Sequence, residues 1–338
     1  MKAIGLLKYL PIENKESLLD IELEKPTPKG KDLLVRVNAI SINPVDVKVR
    51  SPKDKVEDEP KILGWDASGV VVEVGEECKL FKPGDEVFYA GSITRPGTYC
   101  EYHLVDERIV GSKPKILTYA ESSALPLTSI TAWEALFERL EINTNNIEVN
   151  KLNNILIIGG GGGVGSIAIQ LAKWAGLNVI ATASRIETEN WVKDFGADYV
   201  INHHESFKEQ LQKVEIEHVD YILCLNNTDQ HWESMADVIK PQGKICSIVE
   251  NENPLDLNVL KSKSVTFVWE FMFTRSMYQT EDMINQHLLL NKISDLIDNG
   301  IIKTTMNKKL SPINAESIRK AHKLVETGGM IGKVVIEN

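Results

Sequence analysis

Gly160, Gly162 and Gly165 stand at the spacing G-x-G-x-x-G within the run Gly159-Gly160-Gly161-Gly162-Gly163-Val164-Gly165. Glycine at these places allows a tight turn, close approach of the backbone to a pyrophosphate, and close packing of a following helix on a strand. The phosphates would sit on the unpaired N–H groups of Gly160, Gly161, Gly162, Gly163 and Val164, where a helix dipole favours negative charge. The same glycines without flanking structure would make only a flexible linker. About 20 residues further on, a dinucleotide site for NAD carries Asp or Glu, which bonds the ribose 2′-hydroxyl. Here that position reads Ala183-Ser184-Arg185. A hydroxyl at Ser184 and a guanidinium at Arg185 suit a 2′-phosphate, so the residues predict NADPH. The competing readings are a solvated loop arginine and an alignment shifted to Glu187 or Glu189, which would restore NAD; both glutamates are expected to face solvent.

These groups need a scaffold, and the flanking sequence supplies one. Ile155-Leu156-Ile157-Ile158 reads as a buried strand, Ile167, Ile169, Leu171 and Ala172 fall on helical spacing within Ser166 to Gly176, and Asn178 to Ala183 reads as a second strand. Four more strand-like runs follow, Tyr199 to Asn202, Tyr221 to Leu225, Lys244 to Val249 and Val265 to Trp269, separated by helical stretches. This alternation predicts an α/β fold with a Rossmann-like, doubly wound parallel sheet. Ligands gather at the carboxyl ends of such strands, so Leu225, Asn226 and Val249 are expected to touch the part of the cofactor that bridges adenosine and nicotinamide.

The first 126 residues differ. They are strand-rich, with turn signals at Pro26-Thr27-Pro28-Lys29-Gly30, Pro83-Gly84-Asp85 and Pro96-Gly97-Thr98, and they suit a barrel-like β domain. The tail holds expected helices at Met283 to Ile297 and Ala315 to Thr327, then a strand at Lys333 to Ile336, and should pack back on the β domain. The expected domains are therefore 1–126 with 275–338, and 127–274.

A net charge of −10 leaves no basic excess to neutralise phosphates, which argues against nucleic acid or an anionic membrane as partner. Lys113 with Lys115, and Lys308 with Lys309, are read as solvated faces. No run of about 18 apolar residues is present to cross a membrane, and the lysine-interrupted start lacks the form of a secretory signal. Cys78, Cys100, Cys224 and Cys246 form no C-x-x-C pair and read as reduced, mostly buried thiols of a cytoplasmic protein.

Asn43-Pro44-Val45-Asp46, Gly64-Trp65-Asp66-Ala67-Ser68-Gly69, Phe81-Lys82-Pro83-Gly84-Asp85, Gly97-Thr98-Tyr99-Cys100-Glu101-Tyr102 and Leu125-Pro126-Leu127-Thr128-Ser129-Ile130-Thr131-Ala132 occur in that order around the glycine loop. Together they resemble the medium-chain dehydrogenase/reductase superfamily and its quinone oxidoreductase branch, over essentially the whole chain. The segments Trp269 to Arg275 and Leu225 to His231 are similar to a bacterial subgroup labelled zinc-type alcohol dehydrogenase-like. The resemblance implies a GroES-like β-barrel first domain, a Rossmann second domain with the substrate cleft between them, and a homodimer paired through the edge strand Val265 to Trp269.

It also assigns roles. Zinc-dependent members hold their ion with a cysteine, the histidine of Gly-His-Glu and a second cysteine; the matching positions here are Asn43, Trp65 and Leu127, and no metal is expected. The seven histidines are read as surface or capping residues. The implied activity is hydride transfer from NADPH to an electrophilic small-molecule acceptor, a quinone or an α,β-unsaturated carbonyl. Asn43 would donate to the acceptor oxygen or a water, Asp46 would orient neighbours, Thr131 would lie near the nicotinamide, and Trp65 would fill the vacated metal site. Each residue has a plainer reading too: an Asx-turn around Pro44 for Asn43 and Asp46, and ordinary core for Trp65. Phe271 and Phe273 could line the cleft or pack a dimer seam, and Cys100 reads as buried and inert. The rival functions are a zinc-dependent alcohol dehydrogenase and a non-catalytic NADPH-binding sensor.

Overall fold

The computed structural model describes every residue from Met1 to Asn338, in two compact units: Met1–Ile130 with Phe273–Asn338, and Thr131–Met272. The first break falls after Ile130 rather than after Pro126 because the intervening turn is tied to the first unit. The Leu127 amide donates to Asp66 Oδ1 at 2.8 Å, and the Thr128 hydroxyl donates to the Leu125 carbonyl at 2.9 Å. The second break precedes Phe273, whose ring packs edge-on against Trp65 with centroids 5.7 Å apart. Phe273 is therefore a core residue, whereas Phe271 is 43% exposed.

The first unit is organised around the strand Asp32–Ser41, whose apolar residues Leu33, Leu34, Val35, Val37, Ala39 and Ile40 are buried. It pairs antiparallel with Asp66–Val74 along one edge. Along the other edge it pairs first with Tyr102–Asp106 and then with the terminal strand Lys333–Glu337. Sharing one edge between two partners curls the sheet, as a barrel-like fold requires. The small side chains of Ala39, Ala120, Ala124 and Val335 form one cluster, which lets the short helix Tyr119–Ser123 lie close on the sheet. The register Val335↔Ser41, Ile336↔Ile40 continues outward, so Lys333 lies opposite Asn43, and Ser41 is also opposite Asp66. Residues remote in sequence are thereby gathered at one end of these strands. The tail helices run over Asn285–Asp298 and Ala315–Glu326. Lys113 departs from its expected solvated position. It is buried, and its ammonium donates to the Leu117 carbonyl at 2.7 Å and pairs with Glu86 at 3.3 Å.

The second unit contains six parallel strands in the spatial order Tyr199–Ile201, Asn178–Thr182, Asn154–Ile158, Val219–Cys224, Ile239–Ser247, Thr266–Trp269. The order reverses beside Asn154–Ile158, which makes the carboxyl end of that strand the topological switch point, as in a Rossmann fold. Leu156, Ile158, Ile180 and Ile222 from the sheet pack with Leu211, Trp232 and Met235 from the helices. Both faces of a parallel sheet must be covered, which is why these strands read as continuous apolar runs.

Candidate active site

The glycine loop leaves the strand Asn154–Ile158 and enters the helix Gly163–Trp174, with Gly162 as its N-cap. Two glycines serve different ends. A Cβ on Gly165 would lie 2.4 Å from the Gly159 carbonyl oxygen, so this position must be bare for the helix to seat on the turn. A Cβ on Gly162 would meet only the Gly159 carbonyl oxygen, at 3.5 Å, an ordinary van der Waals contact. Packing therefore does not require this position to be bare, and it lies at the positive end of a three-turn helix, where an anion can reach the backbone.

The other expected nucleotide residues gather around the same turn. The Gly159 amide donates to Thr182 Oγ1 at 2.9 Å, fixing the end of the second strand beside the loop. A Cβ on Gly161 would meet Thr188 Cγ2, so the start of the helix Ile186–Asp194 also abuts it. Between Thr182 and that helix, Ser184 is half-buried and Arg185 is exposed as the helix N-cap. Glu187 is exposed and Glu189 half-buried, both on the helix itself. Leu225 and Asn226 approach Gly159, their Cβ atoms 3.4 and 3.5 Å from its notional Cβ. The Val249 carbonyl accepts the Thr228 hydroxyl at 2.5 Å, joining the loops after two neighbouring strands. Gly160 to Val164, Ser184, Arg185, Leu225, Asn226 and Val249 thus belong to the carboxyl-end surface of one sheet.

In the first unit, Asn43 and Asp46 are brought together by a half-box at the start of the helix Pro44–Arg50, where the Asn43 amide donates to Asp46 Oδ2 at 2.8 Å. The bond closes the start of the helix, and both residues also belong to a wider polar cluster. Asn43 Nδ2 donates to Asp66 Oδ2 at 2.8 Å, and the Ser41 hydroxyl donates to the same oxygen at 3.0 Å. The Lys333 ammonium donates to Asn43 Oδ1, to the Ile42 carbonyl at 2.9 Å, and to Asp66 Oδ2 at 3.2 Å. On the other side of Asp46, Tyr99 donates its phenol proton to Oδ2 at 3.1 Å, and His322 Nε2 lies 3.0 Å from the Tyr99 oxygen. Asn43, Asp46, Asp66, Tyr99, His322 and Lys333 are all buried.

Burial sets the charges. It raises the Asp46 carboxyl to about 7, the nearby Asp66 adding to the rise while the Asn43 amide and Lys333 oppose it. It lowers the Lys333 ammonium, which Asp66 and Asp46 hold up in turn. It lowers His322 to about 3, so this imidazole is neutral, and with the phenol proton committed to Asp46 it donates from Nε2. Trp65 is buried, and its indole N–H donates to the Ser92 carbonyl at 3.0 Å. Thr131 is buried in the helix Pro126–Trp133 and is the first residue of the second unit.

Several expectations need revision. His103, His231 and His322 are core residues rather than surface or capping ones, at 4%, 3% and 0% exposure. Each found an apolar or hydrogen-bonded seat: His103 between the Tyr89 hydroxyl and the Pro96 carbonyl, His231 stacked on Phe207, His322 against Tyr99. Lys333, Asp66 and Tyr99 were not singled out from sequence, although all three lie in quoted motifs or in the terminal strand. Cys100 is buried, and burial pushes its thiol up to about 12, which fits the inert reading.

The second unit has the strand order of a Rossmann fold, and comparison with known proteins gives the family. The alcohol dehydrogenase GroES-like domain matches residues 29–115, and the zinc-binding dehydrogenase domain matches residues 163–286. The chain belongs to the medium-chain dehydrogenase/reductase superfamily and is an oxidoreductase of that superfamily. It is 46% identical to a zinc-type alcohol dehydrogenase-like protein of Staphylococcus aureus strain MSSA476, over 99% of both chains. It is 30% identical to the 2-methylene-furan-3-one reductase of Solanum lycopersicum, over 98% of this chain and 76% of that one. Among solved structures, one from Rhizobium etli CFN 42, provisionally named a zinc-dependent alcohol dehydrogenase protein, is 51% identical with a TM-score of 0.94, covering 100% of this chain and 98% of that one.

The residues here do not fit the zinc of those names. Asn43, Trp65 and Leu127 offer neither thiolate nor imidazole, the ligands this ion favours. Of the carboxylates beside them, Asp66 has both oxygens engaged, by the Leu127 amide and by Ser41, Asn43 and Lys333, and Asp46 accepts from the Asn43 amide and Tyr99. No three His, Cys, Asp or Glu side chains stand close enough together to hold a metal ion.

Proposed function

We propose that this chain is a zinc-independent, NADPH-dependent reductase of quinones or α,β-unsaturated carbonyls. The observation that carries the reading is that Asn43, Trp65 and Leu127, which match the zinc-holding positions, offer neither thiolate nor imidazole, and that Asn43 is tied instead to buried Asp66 and Lys333. The glycine turn with Gly162 as helix N-cap supports the nucleotide. The relative named for reduction of 2-methylene-furan-3-one, a compound with a conjugated enone, supports the acceptor class.

The amides of Gly160 to Val164 would bind the pyrophosphate, Ser184 and Arg185 the 2′-phosphate, and Leu225, Asn226 and Val249 the bridging ribose and amide. A bound nicotinamide supplies the hydride. The protein's own contribution is position and polarity: Trp65 fills the place a metal would take, Thr131 is the expected neighbour of the nicotinamide, and Asn43 offers an N–H where negative charge develops on the acceptor oxygen. Asp46 orients Asn43 through its backbone amide. An unmetallated site polarises an oxygen only weakly, so the acceptor must already be electron-poor, which favours quinones and enones over simple ketones. We read the enzyme as a homodimer seamed at the edge strand Thr266–Trp269, where Trp269 is 45% exposed.

The test is NADPH oxidation by metal-stripped protein against a quinone, an enone, an aldehyde and a simple ketone, with NADH alongside. Turnover of quinone or enone with NADPH preferred is expected. Turnover that requires stoichiometric zinc, or tight NADPH binding with no turnover of any acceptor, would overturn the proposal.

A further inference from the structure

We propose that Lys333 is a positioning residue of this site, its ammonium supplying the fixed positive charge that a metal ion would otherwise supply and locking the amide of Asn43 in one orientation. The inference rests on the reductase reading above and gives a role to Lys333, to which that reading assigns none.

The geometry begins with register. Pairing of Lys333–Glu337 with the end of Asp32–Ser41 sets Lys333 opposite Asn43, and pairing with Asp66–Val74 sets Asp66 opposite Ser41. An ammonium has three donors. Three acceptors surround this one: the Ile42 carbonyl at 2.9 Å, Asp66 Oδ2 at 3.2 Å, and Asn43 Oδ1. The side chain is 4% exposed and that of Asp66 is fully buried, so both charges are held away from solvent. Asn43 is pinned from both sides. Its oxygen faces a cation and one of its N–H groups faces an anion, so flipping the amide would set like against like at both ends. The second N–H of Nδ2 then keeps one direction, as a preset donor for developing negative charge requires.

Stability alone is a weak reason for such an arrangement. A buried ion pair adds little compared with apolar residues of the same volume, whereas removing one partner leaves an uncompensated charge. The lowered ammonium and the carboxyl of Asp46 near neutrality agree with a crowded, desolvated cluster in which Lys333 is the only cation in contact with Asn43.

The experiment compares wild type, Lys333→Met, the charge-free pair Lys333→Met/Asp66→Asn, and Asn43→Ala made in wild type and in the pair. Thermal midpoint, NADPH affinity and kcat with an accepted quinone or enone are measured for each. Lys333→Met should lose both stability and turnover. The pair should regain the thermal midpoint and bind NADPH normally while kcat stays about tenfold to a hundredfold down, the scale of loss from a misplaced catalytic group. Asn43→Ala should cost kcat in wild type and nothing further in the pair. Recovery of kcat together with stability in the pair would make Lys333 structural only and overturn the proposal. So would an Asn43→Ala variant of wild type that turns over normally, a result that does not depend on any Lys333 variant folding. Wild type without turnover would instead remove the reductase reading itself, before any variant is compared.

Discussion

A Cβ on Gly165 would stand 2.4 Å from the carbonyl oxygen of Gly159, whereas one on Gly162 would come no nearer than 3.5 Å to that same oxygen. Two glycines of one motif therefore answer to different pressures. Gly165→Ala must push the helix off the turn, and is expected to lower stability by about 1–3 kcal/mol, the range for overpacking. Gly162→Val should melt near wild type yet bind neither NADPH nor NADH, because its side chain fills the space the pyrophosphate needs. Thermal melts with and without cofactor separate the two effects, and normal cofactor affinity in Gly162→Val would show that the loop is not a phosphate site.

Arg185 lies exposed at the N-cap of the helix after the second strand, with Ser184 half-buried beside it. A lost charge-assisted contact to phosphate costs about 1.5–3 kcal/mol, roughly tenfold to a hundredfold in affinity. Arg185→Ala should therefore raise the NADPH dissociation constant by that factor and leave NADH nearly unchanged. Titrations of both cofactors followed by fluorescence would read this out, and equal losses would take Arg185 out of the site.

Acid should unfold the protein earlier than its carboxylates alone would dictate. Burial holds His103 and His231 down to about 4 and His322 down to about 3. An unfolded histidine takes its proton near pH 6.5, at about its unperturbed value. Between these values the unfolded chain binds more protons than the folded one, so this stability is complete above about pH 6.5 and drains away as pH falls toward 4. Asp46 acts in the opposite sense. Held up to about 7, it keeps its proton in the folded state after an unfolded aspartate has lost it, so its contribution is present in acid and is lost as pH rises toward 7. Three histidines outweigh one carboxyl, and urea midpoints should fall between pH 7 and pH 5. Asp46→Asn removes the opposing slope and should make that fall steeper; a flat profile in wild type would contradict the burial of these imidazoles.

Thiol chemistry offers an inexpensive check on the core. Cys100, Cys224 and Cys246 are buried, and burial raises all three thiols; Cys78 is only partly covered, and burial raises it too. In native protein at pH 7.5, a disulfide reagent should react slowly and first at Cys78, with the other three released only by denaturant. Fast labelling of Cys100 would mean that the turn Gly97–Cys100 opens readily.

The nucleotide half was legible because its signals are local. Strand, glycines and helix are contiguous from Ile155 to Trp174, and the residue after the second strand follows at a fixed distance. The Asn43 cluster was only half legible. Asn43 and Asp46 share one turn, but Lys333 reaches them through strand register from the far end of the chain, and no local pattern encodes a partner 290 residues away. Lys333 opens an apolar strand whose next three residues are all fully buried, and that was the available hint. The histidines were misplaced for a related reason: residue type predicts a polar surface, while seats such as the Tyr89–Pro96 gap around His103 arise only on folding.

The nucleotide unit is a single uninterrupted stretch, Thr131–Met272, whereas the unit holding the Asn43 cluster is closed by the strand Lys333–Glu337 at the chain's other end. During synthesis the whole sequence of the first of these emerges before Lys333 does, and domains fold as units as they emerge. The second must wait until Lys333–Glu337 has been made. A chain stopped just before Lys333 would therefore yield a protein with an intact glycine turn and no means of fixing Asn43.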